Sequence, residues 1–165
     1  MSLSLYAVSV PPFLQGLRVL SHLLKKGQDH AATGAVTEDK LIQSKLIEDM
    51  GGLPYQIYRV SDTAKGVATR IGGAAPVSMP DTQVTFPELH QRIEDTIKIL
   101  EALKADSMDG KNDAEITLGE RKMKGEAYII NYAVPNFYFH LVTAYALLRK
   151  EGVPVGKKDY LGVNL

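Results

Sequence analysis

The amino-acid sequence predicts an all-α protein, a bundle of four long helices. Four segments of the 165-residue chain repeat apolar residues at alternating spacings of four and three, which places one apolar stripe along each helix. Proline and glycine separate these segments, and no part of the chain is rich in strand patterns. A chain of this length is expected to form one domain, residues 1–165.

The first long helix is predicted over residues 10–26. Pro11 and Pro12 suit its first turn, where the missing N–H groups would have no helical partner. Residues 4–9 are expected to form a short helical lead-in that bends at the prolines. The core-facing positions are Phe13, Leu17, Leu20 and Leu24.

A short amphipathic helix over residues 40–50 precedes the second long helix. Gly51 and Gly52 separate the two, and Pro54 is placed to open the long helix, which extends to Ile71. The apolar stripe of this second helix consists of Leu53, Ile57, Val60, Ala64, Val67 and Ile71.

The third long helix has the clearest start signal. Thr85 and Glu88 fit a capping box, in which each side chain accepts a hydrogen bond from a backbone N–H near the other residue. The helix is expected to continue to about residue 105. Residues 116–118 and 122–124 are predicted to pair as a small hairpin, which needs packing against the helices. The stripe consists of Leu89, Ile93, Ile97, Leu100 and Leu103 or Lys104.

The last helix, residues 126–150, carries the most regular pattern. Pro135 lies inside it, so we expect a kink that leaves the carbonyl of Asn131 without its usual partner. Gly152 is the predicted stop, and the tail over residues 153–165 is expected to be irregular. The stripe consists of Ile130, Val134, Phe137, Leu141, Ala144 and Leu148.

The composition argues against several classes of function. The chain has 19 Lys+Arg and 19 Asp+Glu, whereas proteins that bind nucleic acid by neutralising phosphates are basic. Without cysteine there is no disulfide, thiolate nucleophile or Cys-based zinc site. A run of about 18 apolar residues is missing, as is the basic start of a secretory signal. We therefore expect a cytoplasmic protein that binds neither nucleic acid nor a membrane.

The histidine spacing argues against a metal site on one helix. No two of the four histidines are three or four residues apart, so no two can bind one metal ion from one helix face. His22 lies off the apolar stripe and is expected to be solvated. His30 falls in a predicted loop, and His90 is expected to form a surface pair with Glu94. The sequence assigns no metal ligands.

His140 differs because it borders the core-facing stripe, three residues after Phe137. Asn136 lies one turn before it and Tyr145 a little more than one turn after it. Gln56 is the inward polar residue of the second long helix and the expected partner of His140. Two interpretations stay open. Either the imidazole is buried and holds two helices in register, or it binds a ligand or acts as an acid–base catalyst with Tyr145.

Asp62 and Lys65 form a second candidate substrate-binding group. They are three residues apart on a helix, so an ion pair is expected, worth only about half a kcal/mol if it is exposed. At 100° per residue Asp62 projects opposite the apolar stripe. This projection favours a solvent-exposed position for Asp62. A role of Asp62 and Lys65 in substrate binding is the alternative interpretation.

Five motifs are distributed along nearly the whole chain. The most specific is PNFYFH at residues 135–140. The others are SLYAVSVPPFLQGL at 4–17, SDTAKG at 61–66, TAYALLR at 143–149 and GVPVGKKDYLG at 152–162. Together they resemble a branch of proteins of unknown function within the DinB-like (DinB/YfiT) superfamily of four-helix bundles. The resemblance implies an up-down-down-up bundle that is often a homodimer.

Better-studied members of that superfamily are suspected metalloenzymes with three inward histidines, one on the second helix and a His-x-x-x-His pair on another. This sequence departs from the pattern. His140 is present, but Ala144 stands four residues later, and the second long helix has no histidine. The three-histidine metal site of those relatives is therefore not expected in this chain. A divalent metal would need His140 together with carboxylate, amide or tyrosine oxygens.

Two classes of function follow. The leading hypothesis is a small-molecule pocket between helices, with metal-free proton transfer such as isomerisation or dehydration if the protein is an enzyme. The alternative is a non-catalytic dimeric module whose polar residues set helix register. A residual metal-dependent hydrolase or transferase of the DinB-like type is a further alternative. The expected pocket residues are His140, Asn136, Tyr145 and Gln56.

Overall fold

The computed structural model describes residues 4–163 and residue 165. The helices are α1 (Leu5–Ala32), α2 (Glu38–Gln43), α3 (Leu53–Arg70), α4 (Phe86–Glu101), α5 (Gly125–Ala127), α6 (Val134–Lys150) and α7 (Lys157–Tyr160). A π-helical segment, Tyr128–Ala133, joins α5 to α6, and the strands are β1 (Glu115–Leu118) and β2 (Arg121–Lys124). None of the described helices combines the length and the apolar character that crossing a bilayer requires.

The contacts between the four long helices define an up-down-down-up bundle. Both α1 and α3 pack against α4 and α6. α3 and α4 run parallel, because Asp62 bonds to Arg92 and, further along both helices, Gly72 lies beside Leu103.

The remaining directions follow from contacts with α6. α3 and α6 run antiparallel, because Gln56 contacts His140 whereas Arg70, at the other end of α3, contacts Tyr128. α1 runs parallel to α6: Phe13 stacks on Phe137, and Gly27 lies beside Leu148. The chain therefore forms the all-α, DinB-like architecture that the sequence predicts.

The predicted stripes of the first three long helices form the core. Every stripe position named for these helices up to Leu100 is buried, and only Ile97 among them retains as much as 8% exposure. Beyond the end of α4, Leu103 is half-buried and Lys104 is exposed. In the centre, the rings of Phe13 and Phe137 stack with their centroids 4.2 Å apart. Gly16 allows this approach, because a Cβ atom at that position would lie 2.5 Å from the Phe137 ring.

The structure confirms the predicted capping box and hairpin. The Thr85 hydroxyl accepts the backbone N–H of Glu88 at 3.5 Å, and the Glu88 carboxylate accepts the backbone N–H of Thr85 at 3.0 Å. The hairpin pairs its strands antiparallel, with Ile116 opposite Met123.

Several predicted helix ends are wrong. The first helix begins at Leu5 instead of residue 10, because the Ser4 hydroxyl accepts the N–H of Ala7 at 3.1 Å and the helix continues through both prolines. The short helix ends at Gln43 instead of residue 50, and Leu46 beyond it is 54% exposed. The third long helix ends at Glu101, before the predicted residue 105.

The last helix contains a π-helical segment in place of a simple kink at Pro135. In this segment the N–H of Val134 bonds to the carbonyl of Ile129, five residues earlier. A π turn holds more residues than an α turn, so the inward positions move relative to an α-helical projection. The prediction that Ile130 faces the core is therefore wrong: Ile130 is 46% exposed, and Ile129 is buried.

The tail after Gly152 is more ordered than predicted. Gly152 has a φ of +90°, which suits a helix stop, but the chain then forms α7. Asp159 on α7 is buried and lies 3.1 Å from Nε2 of His22 and 3.0 Å from Nζ of Lys26. These contacts fasten α7 to α1, so the prediction of an irregular tail and of a solvated His22 is wrong.

Substituting Gly16→Ala tests the close approach of α1 and α6. The added methyl group would displace a stacked, fully buried ring, so we expect a loss of about 1–3 kcal/mol in the free energy of unfolding. Urea denaturation followed by circular dichroism measures it. The matched control is Gly27→Ala on the same helix, where the nearest atom is the flexible end of Leu148 at 3.0 Å. Equal stabilities of the two variants would contradict the prediction.

Candidate functional site

The Gln56–His140 pair connects α3 to α6. The Nδ1 atom of His140 lies 2.7 Å from Oε1 of Gln56, and the Nε2 group of Gln56 donates to the backbone carbonyl of Gly51 at 2.6 Å. Because the Gly51 carbonyl only accepts, the Gln56 amide must direct its oxygen at the imidazole, and His140 must carry its proton on Nδ1. The Nε2 atom of His140 then presents a lone pair.

The surroundings of His140 keep the imidazole neutral. The side chain is buried, with 9% exposure, and the rings of Tyr55 and Phe139 meet it edge-on at centroid distances of 6.1 and 5.1 Å. Burial, and to a smaller extent the positive charge of Arg59, lower the pKa of His140 from its ordinary 6.5 to about 4. At neutral pH the imidazole is therefore uncharged, and its Nε2 atom can accept a hydrogen bond.

A small polar cleft opens one helical turn from this pair, between the same two helices. We call it the α3–α6 cleft; its volume is about 150 Å³. Asn136, four residues before His140, donates to the Thr63 hydroxyl at 2.7 Å, and that hydroxyl donates to the backbone carbonyl of Arg59. The cleft is lined by Arg59, Asp62, Thr63, Arg70, Leu118, Tyr128, Tyr132 and Asn136.

The π-helical segment supplies the aromatic wall of the cleft. It places Tyr128 and Tyr132 in a stack with centroids 6.0 Å apart. Burial raises the pKa of Tyr128 despite the nearby charge of Arg70, so the phenol stays protonated. Its oxygen accepts from Nη1 of Arg70 at 3.4 Å, which leaves its own proton for another acceptor. Isolated π-helical turns within α-helices frequently occur at functional sites.

A network of ion pairs forms the opposite wall. Asp62 lies 2.9 Å from Nη2 of Arg59, 3.1 Å from Nζ of Lys65 and 3.0 Å from Nη2 of Arg92. Asp81 also pairs with both arginines. Because the side chain of Asp62 is only 35% exposed and has three cationic partners, it does not lie on the solvated face that its helical projection predicts.

Arg92 is the residue of this region that sequence analysis missed. Its side chain is only 2% exposed. The guanidinium group lies 4.7 Å from the centre of the Tyr58 ring, and it donates hydrogen bonds to the backbone carbonyls of Met79 and Pro80. These bonds hold the loop between α3 and α4 against α4, and the ion pair of Arg92 with Asp62 connects α4 to α3. The only signal in the sequence is that Arg92 directly precedes Ile93 of the apolar stripe.

The structure brings some predicted site residues together and separates others. Gln56 and His140 are in contact, and Asn136 and Asp62 line the adjacent cleft. Lys65 pairs with Asp62 as expected, with its side chain 12% exposed. Tyr145 is about 140° around the helix from His140 and packs edge-on against Tyr160. The expectation that Tyr145 lines a pocket together with His140 is therefore wrong.

The other histidines also lie in unexpected surroundings. His30 is in the last turn of α1 and not in a loop. His90 lies with Nδ1 3.1 Å from the Ser21 hydroxyl of α1, so it contributes to helix packing beyond the expected surface pair. Burial lowers the pKa of His90, which Glu94 only partly opposes.

The residues around His140 do not fit the histidine triad of the DinB-like metalloenzymes. Across residues 4–163 and 165, no group of three or more His, Cys, Asp or Glu side chains lies close enough to hold a metal ion. Ala144 is fully buried where the second histidine of the pair would stand, and the residue of α3 that faces His140 is the amide of Gln56. An amide, an imidazole and an alanine are a poor donor set for a transition metal.

Comparisons with known proteins agree with the architecture. A family model described as a domain of unknown function (DUF1993) matches residues 5–161. The crystal structure of a DinB family member protein from Shewanella denitrificans is similar at 36% sequence identity, with a TM-score of 0.89. The similarity covers 96% of this chain and 92% of that chain. No curated protein matches this chain.

The pH dependence of stability tests the neutral imidazole. With a folded-state pKa near 4 and an ordinary value of 6.5, the unfolded chain binds the proton more readily. The buried neutral imidazole therefore contributes to the free energy of unfolding in full above pH 6.5, and this contribution is lost as the pH falls toward 4. At 1.36 kcal/mol per pKa unit, the loss is about 3 kcal/mol at most.

We expect wild-type protein to lose more stability between pH 7 and 4 than the His140→Gln variant, as measured by urea denaturation. Groups such as His90 titrate in both proteins, so the difference between the two curves isolates His140. An NMR titration of the His140 ring with a midpoint near 6.5 would show that the imidazole is not desolvated.

Proposed function

We propose that this chain, which belongs to the DUF1993 family and has the DinB-like fold, acts as a single domain that binds a small organic molecule between α3 and α6. The ligand would lie in the α3–α6 cleft and reach His140. Asn136 and Asp62 would contact it in the cleft, and Gln56 would orient the imidazole. Lys65 would act only through its ion pair with Asp62.

The fixed tautomer of His140 is the observation that carries this proposal. A structural histidine needs only a satisfied hydrogen bond, but this one is held so that Nδ1 donates and Nε2 remains an acceptor. No hydrogen bond from the described part of the chain reaches Nε2, and the atom is not among the fully buried polar atoms that lack a partner. It is therefore accessible to a ligand that has an O–H or N–H group.

The same geometry supports metal-free acid–base chemistry as the catalytic form of this proposal. A neutral imidazole accepts a proton from a bound substrate, as isomerisation or dehydration requires. With a pKa near 4, His140 holds a proton poorly until negative charge on the ligand raises that pKa. Asn136 takes the role of orienting a substrate oxygen, because Tyr145 lies against Tyr160.

A dimeric, non-catalytic module is the second candidate, and one surface supports it. Phe139 and Val142, one turn apart on α6, are 55% and 44% exposed. Tyr55, which like Phe139 meets the His140 ring edge-on, is 45% exposed. Exposed apolar patches of this kind often mark contacts between protein chains. A second copy of the chain on this patch would cover the outer side of His140.

A thermal-shift screen of small polar metabolites tests the binding proposal. We expect compounds that raise the melting temperature of wild-type protein by several degrees to have no effect on His140→Ala. The matched control is His30→Ala, which removes a half-buried imidazole from the last turn of α1. Because each compound is compared with the same variant alone, a stability change caused by the substitution cancels. Equal shifts in all three proteins would remove His140 from the site.

Sedimentation equilibrium tests the dimer. Val142→Asp adds a charge to an exposed position of the patch, so we expect a dimeric wild-type protein to become monomeric. The control is Val84→Asp, at a position that is 61% exposed in the loop before α4. A monomeric wild type at micromolar concentration would exclude this candidate.

A further inference from the structure

We propose that the α3–α6 cleft binds a small oxyanion, the carboxylate or phosphate group of its ligand, through Arg59, Arg70 and Tyr128. The inference rests on the proposed function, because it names the chemical class of molecule that the same cleft takes. Three independent features carry it: the local charge, the unused hydrogen-bond donors and the size of the cleft.

The charge around the cleft is unbalanced although the whole chain has a formal net charge of zero. Asp62 and Asp81 are shared by three cations, which are Arg59, Lys65 and Arg92. Arg70, also in the cleft wall, has no carboxylate partner in the part of the chain that the structure describes. Four positive side chains therefore face two negative ones, and an anion would offset the excess.

The cleft also contains hydrogen-bond donors without acceptors. Both carboxylate contacts of Arg59 use its Nη2 atom, so the N–H groups of Nη1 have no acceptor among residues 4–163 and 165. Nη1 is not among the fully buried atoms that lack a partner, so an anion in the cleft can accept from it. The proton of Tyr128 and the remaining N–H groups of Arg70 are further donors on the same cleft.

The size of the cleft suits the charged group of a small molecule. A volume of about 150 Å³ has room for several water molecules, and so for a group of a few non-hydrogen atoms. A planar carboxylate or a phosphate occupies such a space and matches the fork of a guanidinium group.

The position of Arg59 connects the anion to His140. Its guanidinium lies 5.1 Å from the centre of the Tyr55 ring, which itself contacts the imidazole, and its charge lowers the pKa of His140. A bound anion cancels part of this charge. Oxyanion binding in the cleft therefore raises the pKa of the imidazole, which makes His140 a better proton acceptor when the ligand is present.

Isothermal titration calorimetry of the full chain with inorganic phosphate and, separately, with acetate tests the inference. We expect saturable binding of at least one anion to wild-type protein, weakened at least tenfold in Arg70→Gln and in Arg59→Gln. Arg70 is exposed, so its variant keeps the test valid if Arg59→Gln does not fold. The matched control is Arg149→Gln, which removes one exposed arginine from α6 outside the cleft and should bind as wild type does.

An NMR titration of His140 provides a second measurement. We expect its midpoint to move upward at saturating anion in wild-type protein and to stay unchanged in Arg70→Gln. The anion with the lower Kd identifies the group as carboxylate or phosphate. Absence of saturable binding by both anions, or equal weakening in Arg149→Gln, would overturn the inference. The proposed function would survive that result if uncharged compounds still stabilise wild type but not His140→Ala.

Discussion

The antiparallel packing of α3 on α6 is the constraint on which the candidate site depends. It brings together two side chains that are 84 residues apart in the chain, Gln56 and His140. In an interface with little water, every amide and imidazole group needs a partner, because an unsatisfied polar group costs about 1–3 kcal/mol. The backbone carbonyl of Gly51 accepts from one end of the Gln56 amide, so the other end must accept from His140. The tautomer of the imidazole is thus set by a residue in the first turn of α3.

Electrostatics extends this arrangement along α3. Arg59 lies about one turn after Gln56 and forms ion pairs with Asp62 and Asp81. Its guanidinium group also lies over the ring of Tyr55, and its positive charge lowers the pKa of His140. Arg92 neutralises the same two carboxylates from α4 while it is almost completely buried. Breaking such a buried pair is costly, since the remaining charges lose their compensation. The loop between α3 and α4 therefore does more than connect the helices, because its Asp81 belongs to the ion-pair network beside the cleft.

Periodicity allowed much of the fold to be predicted, because burial of an apolar stripe is a local consequence of where side chains project from a helix. It also identified Gln56 as the inward partner of His140. The prediction failed for Ile130, where the π-helical segment changes the angle per residue and exposes the side chain. It failed for Tyr145 because its partner, Tyr160, belongs to α7, which the glycine-rich tail did not suggest. Projection also placed Asp62 in solvent, since the helix alone does not show that Arg92 approaches from α4.

The sequence by itself determined the helical class of the protein, the four long helices, the capping box at Thr85 and the lack of a histidine triad. These properties depend on residue types at short spacing along one chain segment. The tertiary structure decided the tautomer of His140, the partners of Asp62 and the position of the α3–α6 cleft. Each of these depends on which atoms meet across two or three helices, and on how deeply their charges are buried. The spacing of residues within one segment does not show how close that segment comes to another, or which of its side chains are removed from water.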